Sequence, residues 1–273
     1  MTTPPPAPYA YVSPIPVRKA HLGDALASEW TKIRSLRSTM WTLGIMVLLL
    51  LGLGLAVGAV AASAGPEASE QSALGLGFFG MLPASICVIT LGVLSISSEY
   101  GTGMIRTTLT ACPSRSRVLT AKAIVFFVLV FSLVTVMAGV VGAAQVAMVD
   151  AAEPTTGEWL RATVGVGLFL ALLGLLSMGI GAIVRHSAGA ITVMIGVLLL
   201  PLVAALFMFS QALRSVQEAL FMYAIPSQMI ALYSETAPFS DRGPSGWQPV
   251  LIIAAITAAV LGGAFALLNS RDV

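Results

Sequence analysis

Charge is what this sequence has least of. Of its 273 residues only 10% are Asp, Glu, Lys or Arg, whereas 57% are hydrophobic. A soluble domain carries about 25% charged residues, so there is too little charge here to coat one, and a soluble globular enzyme is excluded. Intrinsic disorder and nucleic-acid binding are excluded with it, because both need charge or polarity in quantity. Cysteine is scarce as well. Cys87 lies in an apolar run and Cys112 in a basic loop, so the two form no disulfide framework. The two histidines, His21 and His186, both fall outside the apolar runs, and no HExxH, GxSxG or CxxC is present. The first residues, MTTPPPAPYAYVSPIPV, lack the apolar stretch of a cleavable signal. They read as a disordered, Pro-rich tail over residues 1–20.

What the sequence does have is long apolar runs. Six windows are free of Asp, Glu, Lys, Arg and His: Met40–Ala62, Ala73–Ser98, Ala123–Val149, Ala162–Val184, Ser187–Leu213 and Pro249–Ser270. A helix needs about 20 apolar residues to cross the hydrocarbon, and each window is long enough. The expected fold is all-α: a polytopic membrane protein with six transmembrane helices, Pro83 and Pro201 kinking the second and fifth. Lysine and arginine alternate between the connecting segments. Eleven fall on the side of the two termini and three on the other, which predicts cytoplasmic N- and C-termini by the positive-inside rule.

The spans hold no ionisable group of the kind that relays protons, which weighs against ion-driven transport. Gly75-Leu76-Gly77-Phe78-Phe79-Gly80 fits GxGxxG, but no strand precedes it, so it reads as close helix packing. Gly54 with Gly58, Gly139 with Gly142, and Gly174, Gly179 and Gly181 add further small surfaces. They suit contact within the chain or with a second copy.

Three segments outside the spans are informative. In Leu22–Ser38 the residues Leu22, Leu26, Trp30, Ile33 and Leu36 fall in an arc of about 120° at 100° per residue. This predicts an amphipathic helix on the cytoplasmic membrane face, with Trp30 at the interface and Arg37 reaching phosphates. Lys32 and Arg34 lie outside the arc. Glu29 lies inside it, which calls either for a local pair with Lys32 or for a protein partner. In the 98–122 loop, Glu99 and Tyr100 close the second span, and Gly101 and Gly103 permit a sharp turn. Met104 to Ala111 then form a short helix that stops before Pro113. Ile105, Leu109 and Cys112 share one side of it and Arg106 lies elsewhere. Arg115 and Arg117 follow, as positive-inside markers beside anionic lipid. On the outer side, 211–247 predicts one or two short helices at or in the outer leaflet, from Leu213, Val216 and Leu220 and then, past Pro226, Met229. They form either a fixed cap or a gate.

EWTKIRSLRSTMWTL (Glu29 to Leu43) and SEYGTGMIRTTLTACPSRSRVLTAKA (Ser98 to Ala123) resemble the membrane subunits of bacterial ABC-2 type ABC transporters. Many of that family carry Arg where this chain has Gly101. The resemblance implies an elbow helix over residues 21–39, containing Glu29, Trp30, Lys32, Arg34 and Arg37, and a six-helix domain over 40–273. It implies an ATPase-coupling element containing Glu99, Tyr100, Gly101, Gly103, Ile105, Arg106, Leu109, Arg115 and Arg117, and re-entrant external helices. It implies two copies of a separate ABC ATPase carrying ATP and Mg, and pairing with a second copy of this permease or a homologous one. No catalytic, cofactor or metal residue is expected on this chain and no nucleic acid as partner. The function so implied is ATP-driven export, across the plasma membrane, of an apolar or amphipathic substrate. An ion-coupled or facilitative transporter or channel, and a non-transporting scaffold or immunity protein, remain as alternatives.

Overall fold

A computed structural model describes residues 21–64, 72–111, 114–234 and 243–270. The Pro-rich tail, Cys112, Pro113 and Arg271 lie outside them. Eleven α-helices follow in order among the described residues: α1 (Leu22–Ser35), α2 (Arg37–Ser63), α3 (Phe78–Gly101), α4 (Met104–Ala111), α5 (Arg115–Met148), α6 (Thr156–Leu160), α7 (Val166–Val184), α8 (Ser187–Leu206), α9 (Arg214–Tyr223), α10 (Ile225–Ala231) and α11 (Gln248–Ser270). Six segments are long and apolar enough to cross a membrane: Arg37–Ser63, Ala73–Gly101, Arg115–Met148, Thr156–Val184, Ser187–Leu206 and Gln248–Leu268. The chain is a multi-pass membrane protein.

The charge-free windows locate every span but misplace several ends. The fifth stops at Leu206 rather than Leu213, and α5 begins at Arg115, within the basic loop. A window without charge measures the hydrocarbon, whereas a helix continues for as long as its backbone is satisfied. Helices α3 and α8 run on through Pro83 and Pro201. The second span enters through a 3₁₀ turn, Ala73–Gly77, which takes up the first half of the GxGxxG stretch. A π-helical turn, Arg161–Gly165, joins α6 to α7. Helix α6 opens on a reciprocal cap: the Thr155 N–H donates to Glu158 Oε2 at 2.6 Å, and the Glu158 N–H to Thr155 Oγ1 at 3.3 Å.

The fourth span is the axle of the bundle. Within its most apolar window 78% of residues are buried, against 56% in the second and 22% in each of the other four, so those four face outward. Helix α7 packs against α3, α5, α8 and α11, and small residues allow it. A Cβ on Gly179 would sit 2.9 Å from Val260 Cγ1 in α11, and one on Gly181 3.1 Å from the Val93 carbonyl in α3. Glycines join other spans in the same way. A Cβ on Gly54 would sit 2.6 Å from Val141 Cγ1, one on Gly80 2.8 Å from the Leu50 carbonyl, and one on Gly142 2.9 Å from Leu74 Cδ2. These surfaces are thus used inside the chain. Lipid provides no hydrophobic drive between helices, so close backbone approach and interhelical hydrogen bonds hold such a bundle. Gln145 Nε2 donates to the Gly54 carbonyl at 2.9 Å, tying α5 to α2. Thr257 Oγ1 donates to the Leu172 carbonyl at 3.1 Å, tying α11 to α7.

Candidate functional site

At the end of the bundle that carries α1, three segments distant in sequence bring four charges together. Glu29 comes from α1 and Lys32 one turn further along it. Glu99 stands near the C-terminus of α3, and Lys122 two turns into α5. Lys122 Nζ donates to Glu29 Oε2 at 2.6 Å and to Glu99 Oε1 at 2.9 Å. Lys32 Nζ donates to Glu29 Oε1 at 2.7 Å and to Glu99 Oε1 at 3.0 Å. Each lysine therefore bridges both carboxylates. Lys32 also reaches Thr108 Oγ1 of α4 at 3.4 Å, so the cluster joins α1, α3, α4 and α5.

Burial makes this quartet consequential. The side chains of Glu29, Glu99 and Lys122 are all more than nine-tenths buried, and that of Lys32 about three-quarters. An isolated buried ion costs several kcal/mol in lost hydration. Two acids with two bases cancel that charge, and the alternation keeps every contact attractive. For Lys32, burial works against the charged form. The hydrogen bonds and charges of Glu29 and Glu99 outweigh it and hold its pKa above the ordinary lysine value.

Helix α1 is turned in an unexpected way. Its sole buried residue is Glu29, whereas Trp30 and Leu22 on the predicted apolar arc are exposed. The arc is thus divided: Glu29, with half-buried Leu26 and Ile33, turns toward the protein, while Leu22, Trp30 and Leu36 at its edges stay exposed. The local pair predicted for Glu29 is present, and its second partner is Lys122 of the same chain. Leu36 breaks the helix in an extended conformation (φ −82°, ψ 110°), and α2 begins at Arg37. Arg34 and Arg37 are exposed.

The remaining predicted residues fall around this cluster. Met104 to Ala111 form a helix as predicted. Of the two turn glycines only Gly103 uses its freedom, at φ +71°; Gly101 is the last residue of α3. Ile105, Arg106 and Leu109 lie on α4, and their side chains are outside the description. The Tyr100 ring lies under the Arg185 guanidinium, 5.0 Å from its centroid. Arg115 Nη1 donates to the Leu268 carbonyl at 2.8 Å, joining α5 to the end of α11. The Arg117 N–H donates to Ser114 Oγ, the N-cap of α5.

The external segment divides into two parts. Leu213 and Val216 are exposed, and Leu220 is half-buried on α9. Pro226 and Met229 are fully within the protein on α10, where Tyr233 Oη donates to Met81 Sδ at 3.6 Å. Burial drives the Tyr233 pKa far above its ordinary value.

Sequence reading missed Lys122, Arg185 and Thr108. A signal for Lys122 existed. It occupies the buried stripe Val118, Lys122, Phe126, Val130 of α5, spaced at i, i+4, where a lysine needs a counter-charge. A window defined by lacking charge excludes Glu99 and Lys122 by construction, although both stand on spanning helices.

A cavity of about 180 Å³ adjoins the quartet. Its walls come from α1, α2, α3, α4 and α5, with Glu29, Lys32, Glu99 and Lys122 at one part and Leu91, Leu94, Phe126 and Leu129 at another. Among the described residues no group of three or more His, Cys, Asp or Glu could hold a metal ion.

Residues 25–200 match the family model described as ABC-2 family transporter protein. No curated protein matches the chain. The matched stretch includes most of α1, the quartet, α4 and most of the bundle, and the chain belongs to this family.

Proposed function

We propose that this ABC-2 family chain is the membrane subunit of an ATP-driven exporter. Two such subunits, identical or homologous, pair in the plasma membrane and dock two copies of a separate ABC ATPase, which carries the ATP and Mg. The excess of basic residues places both termini, α1 and α4 in the cytoplasm. The coupling element runs from Glu99 to Arg117, and α1 is the elbow. The cargo is an apolar or amphipathic compound, in keeping with spans whose buried charges, among the described residues, are Glu99 and Lys122 at one end.

One observation supports this reading above others: the quartet Glu29, Lys32, Glu99 and Lys122, which fastens α1 to the ends of two spans beside α4. A displacement of α4 by an ATPase acts on α3 across the Gly103 turn. The quartet obliges α1 and the start of α5 to follow. Buried cores and charge clusters are bistable rather than compliant, so a small push becomes a rigid shift of three elements. ATP binding then biases two states of the membrane path by its differential affinity for them. Pro226, Met229 and α10 stand at the far end, where a gate belongs, with Leu213, Val216 and Leu220 outside it.

The test is co-purification of the chain with an ABC ATPase subunit expressed alongside it, followed by ATP-dependent transport in vesicles. Ile105→Asp with Leu109→Asp abolishes ATPase association and transport while the chain still inserts. Association and transport that survive this double change remove the coupling role of α4. Transport that needs an ion gradient and no ATP removes the whole proposal.

A further inference from the structure

The cavity of about 180 Å³ beside the quartet changes character along its length. Leu36, Ser38, Ser98 and Met104 line it and are exposed, so they mark its mouth. Leu91 and Phe126 line it and are buried, so they stand at its floor. Between the two lie half-buried Thr42, Leu94, Ser95 and Leu129. From Ser98 to Leu91 along α3 is about 10 Å at ~1.5 Å per residue. The mouth is therefore rich in hydroxyl groups and the floor is hydrocarbon.

The hydroxyl groups dictate the polarity of an occupant. Thr42 Oγ1 donates to the Ser38 carbonyl at 2.9 Å, Ser95 Oγ to the Gly92 carbonyl at 2.7 Å, and Ser98 Oγ to the Leu94 carbonyl. Their protons are thus committed to their own helices, and each oxygen is left with lone pairs that only accept. Charge in the wall is already matched. Glu29 and Glu99 balance Lys32 and Lys122, and Lys32 Nζ is bonded to Glu29, Glu99 and Thr108. A further charge of either sign brought inside meets no spare counter-charge, and burying it unpaired is costly. The complement of such a wall is a neutral group that donates, carried on an apolar chain. In size the cavity slightly exceeds the ~150 Å³ cavity that admits benzene, so it takes one chain of about eight carbons rather than the two chains of a membrane lipid.

We propose that the cavity between α1, α2, α3 and α5 binds a neutral, single-chain amphiphile with a hydroxyl head, of the 1-acylglycerol type. The chain lies against Leu91, Leu94, Phe126 and Leu129, and the head hydroxyls donate to Ser95 Oγ and Ser98 Oγ. Those two serines stand three residues apart on one face of α3, so a head with two hydroxyls reaches both. The site and its ligand are independent of what the chain transports.

Protection of an introduced thiol tests this. Thr42→Cys, in the full chain with Cys87→Ala and Cys112→Ala, places a reactive group on the α2 wall; Thr39→Cys serves if the first variant misfolds. The chain is held in phosphatidylcholine nanodiscs, whose lipid has no O–H or N–H, and its modification by methyl methanethiosulfonate is timed. The added probes are 1-octanoylglycerol, methyl octanoate, octanoate and octylamine. The expected result is that 1-octanoylglycerol halves the rate at a concentration about tenfold or more below that of methyl octanoate, the preference two neutral hydrogen bonds support. Ser95→Ala with Ser98→Ala removes that preference. Equal protection by the two esters, a preference that survives the double serine change, or a thiol that the reagent reaches at neither position overturns the proposal. Octanoate or octylamine protecting as well as 1-octanoylglycerol overturns it too, because the site then accepts a charge.

Discussion

Lys122 Nζ lies 2.6 Å from Glu29 Oε2, a contact between residues 93 positions apart in which both side chains are buried. It joins a helix outside the bundle to the interior of a spanning one. Removing either partner leaves the other three groups with one unbalanced charge in a mostly buried site. Lys122→Met destabilises the chain by about 3–5 kcal/mol, and Glu29→Gln by a comparable amount. The double variant loses less than the sum, because each change removes the charge that the other strands. Thermal unfolding of the four proteins in detergent measures the coupling, and strict additivity would show that the contact carries none.

Helices α2 and α5 meet where Gly54 faces Val141. Gly54→Ala puts a methyl 2.6 Å from Val141 Cγ1 and costs about 1–3 kcal/mol through overpacking. Val141→Ala in the same chain makes room and recovers most of the loss. An absence of rescue in the melting temperature would locate the constraint at some other neighbour.

Arg185 has φ 58°, in the left-handed region, at the C-terminal cap of α7. Two effects meet at this residue. The guanidinium stacks over Tyr100, and the backbone bears a strain of about 1–2 kcal/mol for a non-glycine residue. Arg185→Ala loses the first and keeps the second; Arg185→Gly loses both. The glycine variant is therefore the more stable of the two by about 1 kcal/mol. Equilibrium unfolding compares the pair directly.

The pH dependence follows from Lys32, whose pKa is raised in the folded chain above the ordinary 10.5. A raised lysine contributes stability in full below its unfolded value and loses it as pH climbs through the folded one. The α1 attachment therefore persists through the neutral range and weakens only in alkali beyond about 10.4. A spin-label distance between α1 and α3 records the release. In Lys32→Met that alkaline step is lost.

The sequence alone determined the class of molecule: six apolar runs, one amphipathic helix before them and a short helix between the second and third. All are one-dimensional patterns, set by the thickness of a bilayer and the 3.6-residue turn. It also marked Glu29 as out of place on an apolar arc and Glu99 as the end of a span. Only the tertiary structure decided what those two carboxylates do. Their partner Lys122 is separated from Glu29 by 93 positions, and no periodicity relates them. Nor could the glycine pattern say which helices would meet, since a small residue permits close approach without choosing the neighbour. Partner choice in a buried bundle is settled by three-dimensional fit and charge compensation. For that reason α1 turns Glu29 inward, against Lys122, and leaves Leu22 and Trp30 exposed.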